Sequence, residues 1–446
     1  MKSPLLPRTF PCVAALALAG LSMLVVDPAP AYDAWAWLLW GREVAGGGLS
    51  TVDGPAFKPL PVAVCALLAP LGTGAAPWAW VLLVRVAAVV AALLAYDLGR
   101  RMAGGSRVAG ALAAAGVVLC AGLLAHTAAG AEPALVIALG LGAAAAWREE
   151  RFRVALACAV GCALLRVEAW PFALAAGIVL WRRPREDRVL LAALALLVPA
   201  AWLVPELAGS GDLLRSGSRA RVPNPGQPAL ADVPGLAALE AAIRLPLWPL
   251  WAGVAALAAL RARTALAPAA AGAAWIGVVA LMAEAGFSGE PRYALPGAAL
   301  IAISGAAGLV LGARAIGTGP AVAAACVLFA IAAAPRIADL PAVRDEQAYQ
   351  WRLAGDLADA VRAAGGRDAV LACGRPYVGP LRGPLMAYRL GVAKRAVEPD
   401  EPPRAPGVVF RSALRAAATP APFAPPGFAE TARAGAWHVL ADCGAA

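Results

Sequence analysis

Long apolar runs recur along the whole chain, and short loops that carry arginines separate them. An apolar run of about 20 residues can cross the hydrocarbon core of a bilayer as an α-helix. Hydrophobic residues make up 61% of the 446 residues and charged residues only 15%, a balance typical of membrane proteins. The sequence therefore predicts an all-α polytopic membrane protein with about eleven transmembrane helices. The predicted spans lie near 9–26, 76–96, 108–125, 132–147, 153–167, 169–182, 189–206, 246–261, 265–284, 293–311 and 319–335.

The basic residues predict how these spans are oriented, because cytoplasmic loops carry an excess of Lys and Arg. The run at 59–71 has only 13 residues, three of them prolines, and suits a helix in the membrane interface. With that run in the interface, the basic groups named at the end of this paragraph share the side of the N-terminus, and the loop with Arg215, Arg219 and Arg221 lies outside. If the run crosses, the next several basic loops face outward instead. The first arrangement is favoured, with a cytoplasmic N-terminus and an extracytoplasmic C-terminus. The basic groups are Lys2 and Arg8, Arg100 to Arg107, Arg148 to Arg153, Arg182 to Arg188, Arg261 and Arg263, and Arg314.

The same loops account for the net charge of +10, so the sequence does not indicate nucleic-acid binding. The N-terminus also has features of a signal peptide, because the first apolar run follows Lys2 and Arg8 and precedes Ala29-Pro30-Ala31. The prolines at this point disfavour cleavage, and an uncleaved first span is favoured.

A second group of charges falls at span ends on the predicted outer face. Ionisable groups near the hydrocarbon core are costly and are usually paired or functional. Each residue also has a structural interpretation. Glu132 suits a helix start, Asp33 suits a solvated position in an aromatic belt, and the others suit ion pairs in tight turns. The group consists of Asp33, Lys58, Glu132, Arg166, Glu168, Glu290 and Arg292, with Tyr293 beside the last.

The first outer loop, 27–61, places an acid among aromatic residues: Asp33 lies close to Tyr32, Trp35, Trp37 and Trp40. Tyr and Trp are enriched where a bilayer meets water. The sequence therefore predicts that this segment lies in the interface with its rings at headgroup depth. There, Asp33 is either a functional acid facing a lipid-linked substrate or a solvated residue in an aromatic belt.

An acid, several cations and aromatic rings at one depth suit an anionic lipid-linked group. Basic residues hold a phosphate leaving group, and an acid deprotonates an attacking hydroxyl. The chain has no Walker loop, zincin motif, GxSxG elbow or dinucleotide fingerprint. A transporter would place polar residues in mid-span, where this chain has mainly Ala, Leu, Val and Gly. An enzyme is favoured, and a non-catalytic lipid-sugar transporter or degenerate relative is the alternative.

Four motifs in this order resemble the GT-C superfamily of integral membrane glycosyltransferases, of the mannosyltransferase and arabinosyltransferase kind. They are YDAWAWLLWGREVAGG from residue 32, FKPLP from 57, LLRVEAWPF from 164 and GEPRYALP from 289. The resemblance covers roughly 10–335. It implies transfer of a sugar from a polyprenyl-phosphate donor on the outer face of the cell membrane. The high Ala, Gly and Arg content suits a bacterial protein of the cell envelope.

The resemblance also implies roles for individual residues. Asp33 matches the acidic base of the first outer loop, and Lys58, Arg166 and Arg292 match positions that hold the donor phosphate. Glu168 is expected to position Arg166, and Glu290 to position Arg292; Glu132 and Tyr293 complete the expected substrate-binding set. Many relatives have two adjacent acids in this loop, whereas Ala34 follows Asp33 here. The requirement for a divalent metal, the sugar, the acceptor and the oligomeric state stay open.

Residues 336–446 are predicted to be a small extracytoplasmic α/β domain after a transmembrane domain of residues 1–335. Helical periodicity covers 344–364, the runs at 369–373 and 437–441 resemble strands, and 399–426 holds eight prolines and reads as an extended connector. Cys373 and Cys443 lie outside the apolar runs, and each ends a strand-like run and precedes a glycine. A disulfide between them is predicted, with two free thiols in a cytoplasmic tail as the alternative.

Overall fold

A computed structural model describes residues 10–182, 185–317, 319–397, 402–416, 418 and 425–444 of the chain. The N-terminal charges Lys2 and Arg8, the loop residue Arg183 and parts of the predicted connector at 399–426 lie outside the described residues. The predicted first span, by contrast, lies almost wholly inside them and is helical from Phe10 onward.

Most of the described chain is α-helical, as its apolar runs predict. The hydrocarbon core holds no water that could bond to backbone N–H and C=O groups, so a spanning segment must pair them internally. An α-helix pairs them within one segment. The helices before the C-terminal region are α1 (Phe10–Val25), α2 (Tyr32–Ala45), α3 (Pro59–Leu68), α4 (Gly72–Met102), α5 (Arg107–Val118), α6 (Leu123–Ala128), α7 (Pro133–Arg148), α8 (Phe152–Leu165), α9 (Trp170–Leu180), α10 (Arg185–Ser210), α11 (Arg215–Ala220), α12 (Pro234–Ile243), α13 (Trp248–Ala259), α14 (Arg263–Glu284), α15 (Pro291–Ile316) and α16 (Gly319–Ala338).

Each predicted span overlaps one of these helices, except that the span at 108–125 covers α5 and the start of α6, and the number of crossings is not confirmed. Within the described residues, five helical stretches are long and apolar enough to cross a bilayer, or six if α12 and α13, which meet at 94°, form one broken span. Several other apolar helices have 10–17 residues. The chain is therefore a multi-pass membrane protein by composition and fold. The five stretches are Pro59–Met102, Arg188–Ser210, Arg263–Glu284, Pro291–Ile316 and Gly319–Ala363.

Helix α15 is the centre of the helical bundle and packs against α5, α13 and α14. Its contact with α13 is made through glycines: a Cβ at Gly253 would overlap the carbonyl oxygen of Gly305, and a Cβ at Gly308 would overlap that of Gly253. Gly272 of α14 and Gly297 of α15 form a second close contact of the same kind. Small residues let membrane helices approach closely, which explains why these runs are rich in glycine and alanine.

The aromatic rings of α2 do not lie on the surface of the protein, as those of an aromatic belt in the membrane interface would. The rings of Trp35, Trp37 and Trp40 are buried within the protein. They pack edge-on or tilted against Tyr388, Trp80 and Phe57 respectively. The burial arises because α2 is covered by α3, α4 and a helix of the C-terminal region.

Helix α3 has 10 residues, so it extends about 15 Å, half the thickness of a hydrocarbon core.

The C-terminal region combines three helices with a four-stranded sheet, in agreement with the predicted α/β character. Strand β1 runs parallel to β2, and the other neighbours are antiparallel, in the order β1-β2-β4-β3. Helix α16 runs through residue 335, so the predicted domain boundary stays a prediction. The elements are α17 (Leu340–Ala363), α18 (Gly366–Cys373), β1 (Arg375–Tyr377), α19 (Gly383–Leu390), β2 (Gly407–Arg411), β3 (Ala429–Ala434) and β4 (Trp437–Asp442).

Two local predictions in this region are right and two are wrong. The helix at 344–364 and the strand at 437–441 are present. The run at 369–373 is helical, because Val370 and Cys373 are buried together at the i, i+3 spacing of one helix face. The predicted connector at 399–426 contains strand β2, whose valines and phenylalanine are buried in the sheet.

Cys373 and Cys443 are joined by a disulfide, and their Cα atoms lie 4.8 Å apart. The expected pairing is therefore present, although only one of the two strand-like runs before the cysteines forms a strand. Cys373 ends helix α18, and Cys443 directly follows strand β4. The bond closes a sequence separation of 70 residues, for which the chain-entropy model gives a stabilisation of about 4 kcal/mol.

In protein taken from its native membrane, we expect this disulfide to leave six of the eight cysteines reactive towards a maleimide under denaturing, non-reducing conditions. Reduction should make all eight reactive. A persistent bond requires an oxidising compartment, so the assay also reports on orientation. As a control, Cys373→Ser should add one reactive thiol without reduction, that of Cys443. Eight reactive thiols in the unreduced native protein would contradict both the bond and an extracytoplasmic C-terminus.

Candidate functional site

The ends of several helices enclose a cavity of about 420 Å³, here called the site cavity. Its walls come from the start of α2, the loop before α3, the turn between α8 and α9, the segment around α11 and the start of α15. Two residues of the C-terminal region, Pro380 and Leu381, complete it. Seven predicted site residues line this cavity: Asp33, Lys58, Arg166, Glu168, Glu290, Arg292 and Tyr293. The eighth, Glu132, is buried beside it and contacts two of them.

Asp33 and Arg292 form an ion pair across the cavity, although 259 positions separate them in sequence. Nη2 of Arg292 donates to Oδ2 of Asp33 at 2.8 Å. Their side chains keep 13% and 18% of their exposure, so the pair stays accessible from the cavity. Asp33 lies in the first turn of α2, where the helix dipole favours a negative charge. This arrangement leaves an accessible carboxylate held by one guanidinium.

The predicted pairing of Arg292 with Glu290 is wrong. Glu290 precedes the first residue of α15 and accepts a hydrogen bond from the side-chain amide of Gln227. Residues two positions apart at a helix start do not face each other. Arg292 therefore finds its partner on α2, and Glu290 finds its partner in the segment before α12.

Glu132 joins two of the predicted phosphate-binding cations. Its Oε1 accepts from Nζ of Lys58 and, at 3.1 Å, from Nη1 of Arg166. Arg166 also grips Glu168 through two parallel contacts, Nε to Oε2 at 3.0 Å and Nη2 to Oε1, the bidentate geometry expected for a guanidinium and a carboxylate. The predicted pairing of Arg166 with Glu168 is thus confirmed. All four side chains are at least 90% buried.

Aromatic rings complete the surroundings of the cations. The guanidinium of Arg166 lies 3.5 Å from the centroid of the Tyr293 ring, and that of Arg292 lies 5.3 Å from it. Nζ of Lys58 lies 5.1 Å from the Trp37 ring centroid. An aromatic face attracts a cation electrostatically and limits its hydration. Tyr293 therefore holds two like-charged guanidinium groups close together at the cavity wall.

Two buried polar atoms of this network have no hydrogen-bond partner among the described residues: Oε2 of Glu132 and Nε of Arg292. Buried polar atoms normally have a partner, so each indicates a place for water or a ligand. Lys58 carries three N–H groups, and one contact to Glu132 uses only one of them. The cations are oriented by their acids but retain donors that an anion in the cavity can accept.

A second buried acid, which the sequence analysis did not single out, fixes the loop before Lys58. Glu206 lies near the end of α10 and is completely buried. It accepts from Ser216 and Arg215 of α11. Arg215 in turn donates to the carbonyl oxygens of Gly54 and Pro55, each at 2.8 Å, and Ser216 accepts from the backbone N–H of Phe57 at 2.7 Å. The sequence signal was a lone acid at the end of an apolar run.

These contacts also affect the electrostatics of the loop. Burial lowers the pKa of Arg215, and the carboxylate of Glu206 partly opposes that shift. An arginine remains protonated at neutral pH even with a lowered pKa. Helix α11 therefore anchors the loop by charge as well as by hydrogen bonds, and the loop ends at Lys58.

Arg85 was also missed, although it is the only charged residue between Trp78 and Asp97 in α4. Its buried guanidinium donates to the carbonyl oxygens of Val26, Asp27 and Ala128, at 2.9, 3.2 and 3.3 Å. These carbonyls lie at the end of α1 and near α6. Arg85 thus fixes the connection from α1 to α2, and so the position of Asp33. Within the described residues, no group of three His, Cys, Asp or Glu side chains is placed to hold a metal ion.

Comparison with known proteins bears on the fold. No family model matches the chain, and no curated protein matches its sequence. Among solved structures, the chain is similar to the crystal structure of ArnT from Cupriavidus metallidurans bound to undecaprenyl phosphate. The TM-score is 0.55 at 14% identity, over 97% of this chain and 98% of that one. The chain therefore shares the overall fold of ArnT over almost its whole length.

We expect Glu132→Gln to destabilise the protein strongly, because it leaves Lys58 and Arg166 buried with one less negative charge. Removing one partner of a buried ion pair costs about 3–5 kcal/mol. Thermal unfolding in detergent measures the effect. The matched control is Asp97→Asn, which breaks exposed pairs with Arg100 and Arg101 and should cost no more than about 1 kcal/mol. Equal melting temperatures for the two variants would contradict the structural role of Glu132.

Proposed function

We propose that the protein is a membrane glycosyltransferase that transfers a sugar from a polyprenyl-phosphate donor to an extracytoplasmic acceptor. The observation that carries this proposal is the site cavity, where the three predicted phosphate-binding cations and the accessible carboxylate of Asp33 converge from distant parts of the chain. The fold shared with ArnT supports the same reaction class. A fold alone does not determine an activity, so the residues of the cavity carry the proposal.

The donor phosphate is assigned to Lys58, Arg166 and Arg292. All three line the site cavity, and each is held by a carboxylate: Lys58 and Arg166 by Glu132, and Arg292 by Asp33. A phosphate in the cavity would accept the remaining N–H groups, including the unpartnered Nε of Arg292. A guanidinium matches phosphate geometry well because its donors lie in one plane. The acids thus orient the cations, and the phosphate binds their free donors.

A second cavity suits the polyprenyl chain. This apolar cavity has a volume of about 770 Å³ and lies among α7, α8, α9, α14 and α15. Its walls are almost wholly apolar side chains, with Arg101 and Arg148 as the charged exceptions. One cluster of buried residues adjoins both cavities: Val136, Cys162, Ala169 and Trp275 line the apolar cavity, and Leu165 and Val279 line the site cavity. A charged pocket beside an apolar one matches the two ends of a polyprenyl phosphate.

The proposed reaction is a displacement at the anomeric carbon of the sugar. Asp33 takes the proton of the acceptor hydroxyl as its oxygen forms a bond to that carbon. The bond from the carbon to the phosphate oxygen breaks, and the polyprenyl phosphate leaves with the bonding electron pair. The cations stabilise the negative charge that develops on this oxygen. Arg292 contacts Asp33 and lines the same cavity, so it orients the base next to the leaving group.

The alternative, a non-catalytic lipid-sugar transporter, requires a polar path through the bilayer. The charges of the site lie at helix ends. The charged residue within the apolar stretch of α4, Arg85, lines neither cavity and is held by backbone carbonyls. These observations favour the enzyme. A degenerate relative that binds the lipid without turnover would keep the cations but would not depend on Asp33 for any transfer.

We expect Asp33→Asn to lower sugar transfer by about 10²–10⁴-fold, because the amide cannot accept the proton of the acceptor hydroxyl. The assay follows a radiolabelled sugar from a polyprenyl-phosphate donor in membranes of the source organism that lack the chromosomal copy. Binding of undecaprenyl phosphate should persist, since the phosphate is held by other residues.

The matched control is Asp53→Asn in the same outer loop, whose side chain does not line the site cavity. We expect this variant to transfer sugar at the unmodified rate. Near-normal transfer by Asp33→Asn, at equal expression, would rule out the role of Asp33 as the base.

We expect Lys58→Met, Arg166→Gln and Arg292→Gln each to weaken undecaprenyl phosphate binding by about tenfold or more. A hydrogen bond to a charged group contributes roughly 1.5–3 kcal/mol, and tenfold corresponds to about 1.4 kcal/mol. Binding is measured on purified protein, with undecaprenol, which lacks the phosphate, as the ligand control. The exposed Arg433→Gln is the protein control. If all three site variants bound the phosphate as tightly as Arg433→Gln, the phosphate assignment would fail.

A further inference from the structure

The short loop between β1 and α19 joins the C-terminal region to the site cavity. Pro380 and Leu381 of this loop line the cavity, although almost 90 positions separate them from Tyr293, the preceding lining residue in sequence. Nothing in the proposed chemistry uses these two side chains. Their position therefore needs a separate explanation.

Leu381 has two features that are unfavourable unless the site requires them. Its φ angle is +63°, in the left-handed region that a leucine rarely adopts. Its side chain is also 55% exposed, although the residue is large and apolar. Backbone strain of this kind persists only where the surrounding structure imposes it, and it is concentrated at functional sites.

The residues on both sides hold the loop in place. Arg382 is buried and donates to Oε1 of Gln350 at 2.7 Å and to the carbonyl oxygens of Ala413 and Leu414, at 3.2 and 3.0 Å. Val378, on the other side, is buried in the core. The loop is therefore fixed by the C-terminal region and does not depend on the side chain of Leu381.

The same region is fixed to the helix that carries Asp33. Helix α19 follows the loop and packs on α2. Nη1 of Arg42 donates to the carbonyl oxygen of Tyr388 at 2.7 Å, and the rings of Trp35 and Tyr388 lie 5.4 Å apart. The position of Leu381 relative to Asp33 is thus set by direct contacts between α2 and α19.

We propose that Leu381 is a specificity-determining residue, which limits the size of the molecules that reach Asp33 past the C-terminal region. This inference rests on the proposed function, because the molecule that must pass Leu381 is taken to be the acceptor of the sugar. In the proposed function, the three cations bind the donor phosphate and the apolar cavity takes the polyprenyl chain. The part of the site cavity near Leu381 is therefore left for the acceptor. Other exposed apolar side chains line the same cavity, namely Leu213, Leu214 and Val222. A wall that restricts access also protects a reactive donor from water.

The test measures access to the cavity by size. A thiol is introduced by Ser288→Cys, since Ser288 is buried and lines the site cavity. All native cysteines except Cys373 and Cys443 are replaced by alanine. The rate of labelling is then measured with N-ethylmaleimide and with a bulky maleimide that carries polyethylene glycol, in Leu381→Gly, Leu381→Trp and unmodified Leu381 backgrounds.

We expect Leu381→Gly to speed labelling by the bulky reagent about threefold or more relative to N-ethylmaleimide, and Leu381→Trp to slow it by a similar factor. The matched control is Leu340→Trp, an apolar residue of the same region that does not line the cavity. It should leave both rates unchanged. Rates that do not depend on the side chain at position 381 would overturn the proposal.

Stability separates this role from a structural one. Glycine adopts a positive φ without strain, so Leu381→Gly should keep or raise the melting temperature while it changes access. A lower melting temperature with unchanged access would mean that Leu381 only packs, and would refute the proposal. Undecaprenyl phosphate should bind all Leu381 variants as tightly as the unmodified protein. Failure of the unmodified protein to bind it would refute the proposed function, whereas the labelling rates alone decide the role of Leu381.

Discussion

The buried carboxylate of Glu132 is the contact on which the site depends. It holds Lys58 from the loop before α3 and Arg166 from the turn after α8, and it lies directly before α7. Buried charges are tolerated only with well-placed partners. Three separate segments are therefore fixed at one end of the helical bundle by a single acid. Two other buried charges fix neighbouring segments in the same way. Arg85 binds backbone carbonyls before α2 and so positions Asp33. Glu206 binds α11, which holds the loop that ends at Lys58.

Much of this arrangement was predictable from the sequence, because apolar length and local charge are properties of single segments. The helices follow the apolar runs, and the acids and cations at their ends converge as expected. The pairings were harder to predict. Asp33 and Arg292 are 259 positions apart, whereas Glu290 is two positions from Arg292, so proximity in sequence favours the wrong partner. The run at 369–373 was too short for its periodicity to distinguish a strand from a helix, and no local signal marked Leu381.

The molecule divides the proposed reaction between regions with different chemistry. An apolar cavity between helices suits a lipid chain, a charged cavity at the helix ends suits a phosphate, and a loop of the C-terminal region lines that charged cavity. The fold it shares with ArnT at 14% identity is compatible with large sequence change, because small residues and apolar length can be kept by many sequences. The proposed function depends instead on the charged residues of the site, because the proposed contacts to the phosphate and the acceptor need their particular donors and acceptors.

A structure of the protein with bound undecaprenyl phosphate is the most direct test of this account. We predict that the phosphate lies in the site cavity, within about 4 Å of the donor nitrogens of at least two of Lys58, Arg166 and Arg292, a distance at which hydrogen-bonded ion pairs form. The isoprenoid chain should enter the apolar cavity past Trp275 and Phe172, which line it. A phosphate bound away from all three cations, with the site cavity empty, would contradict the account.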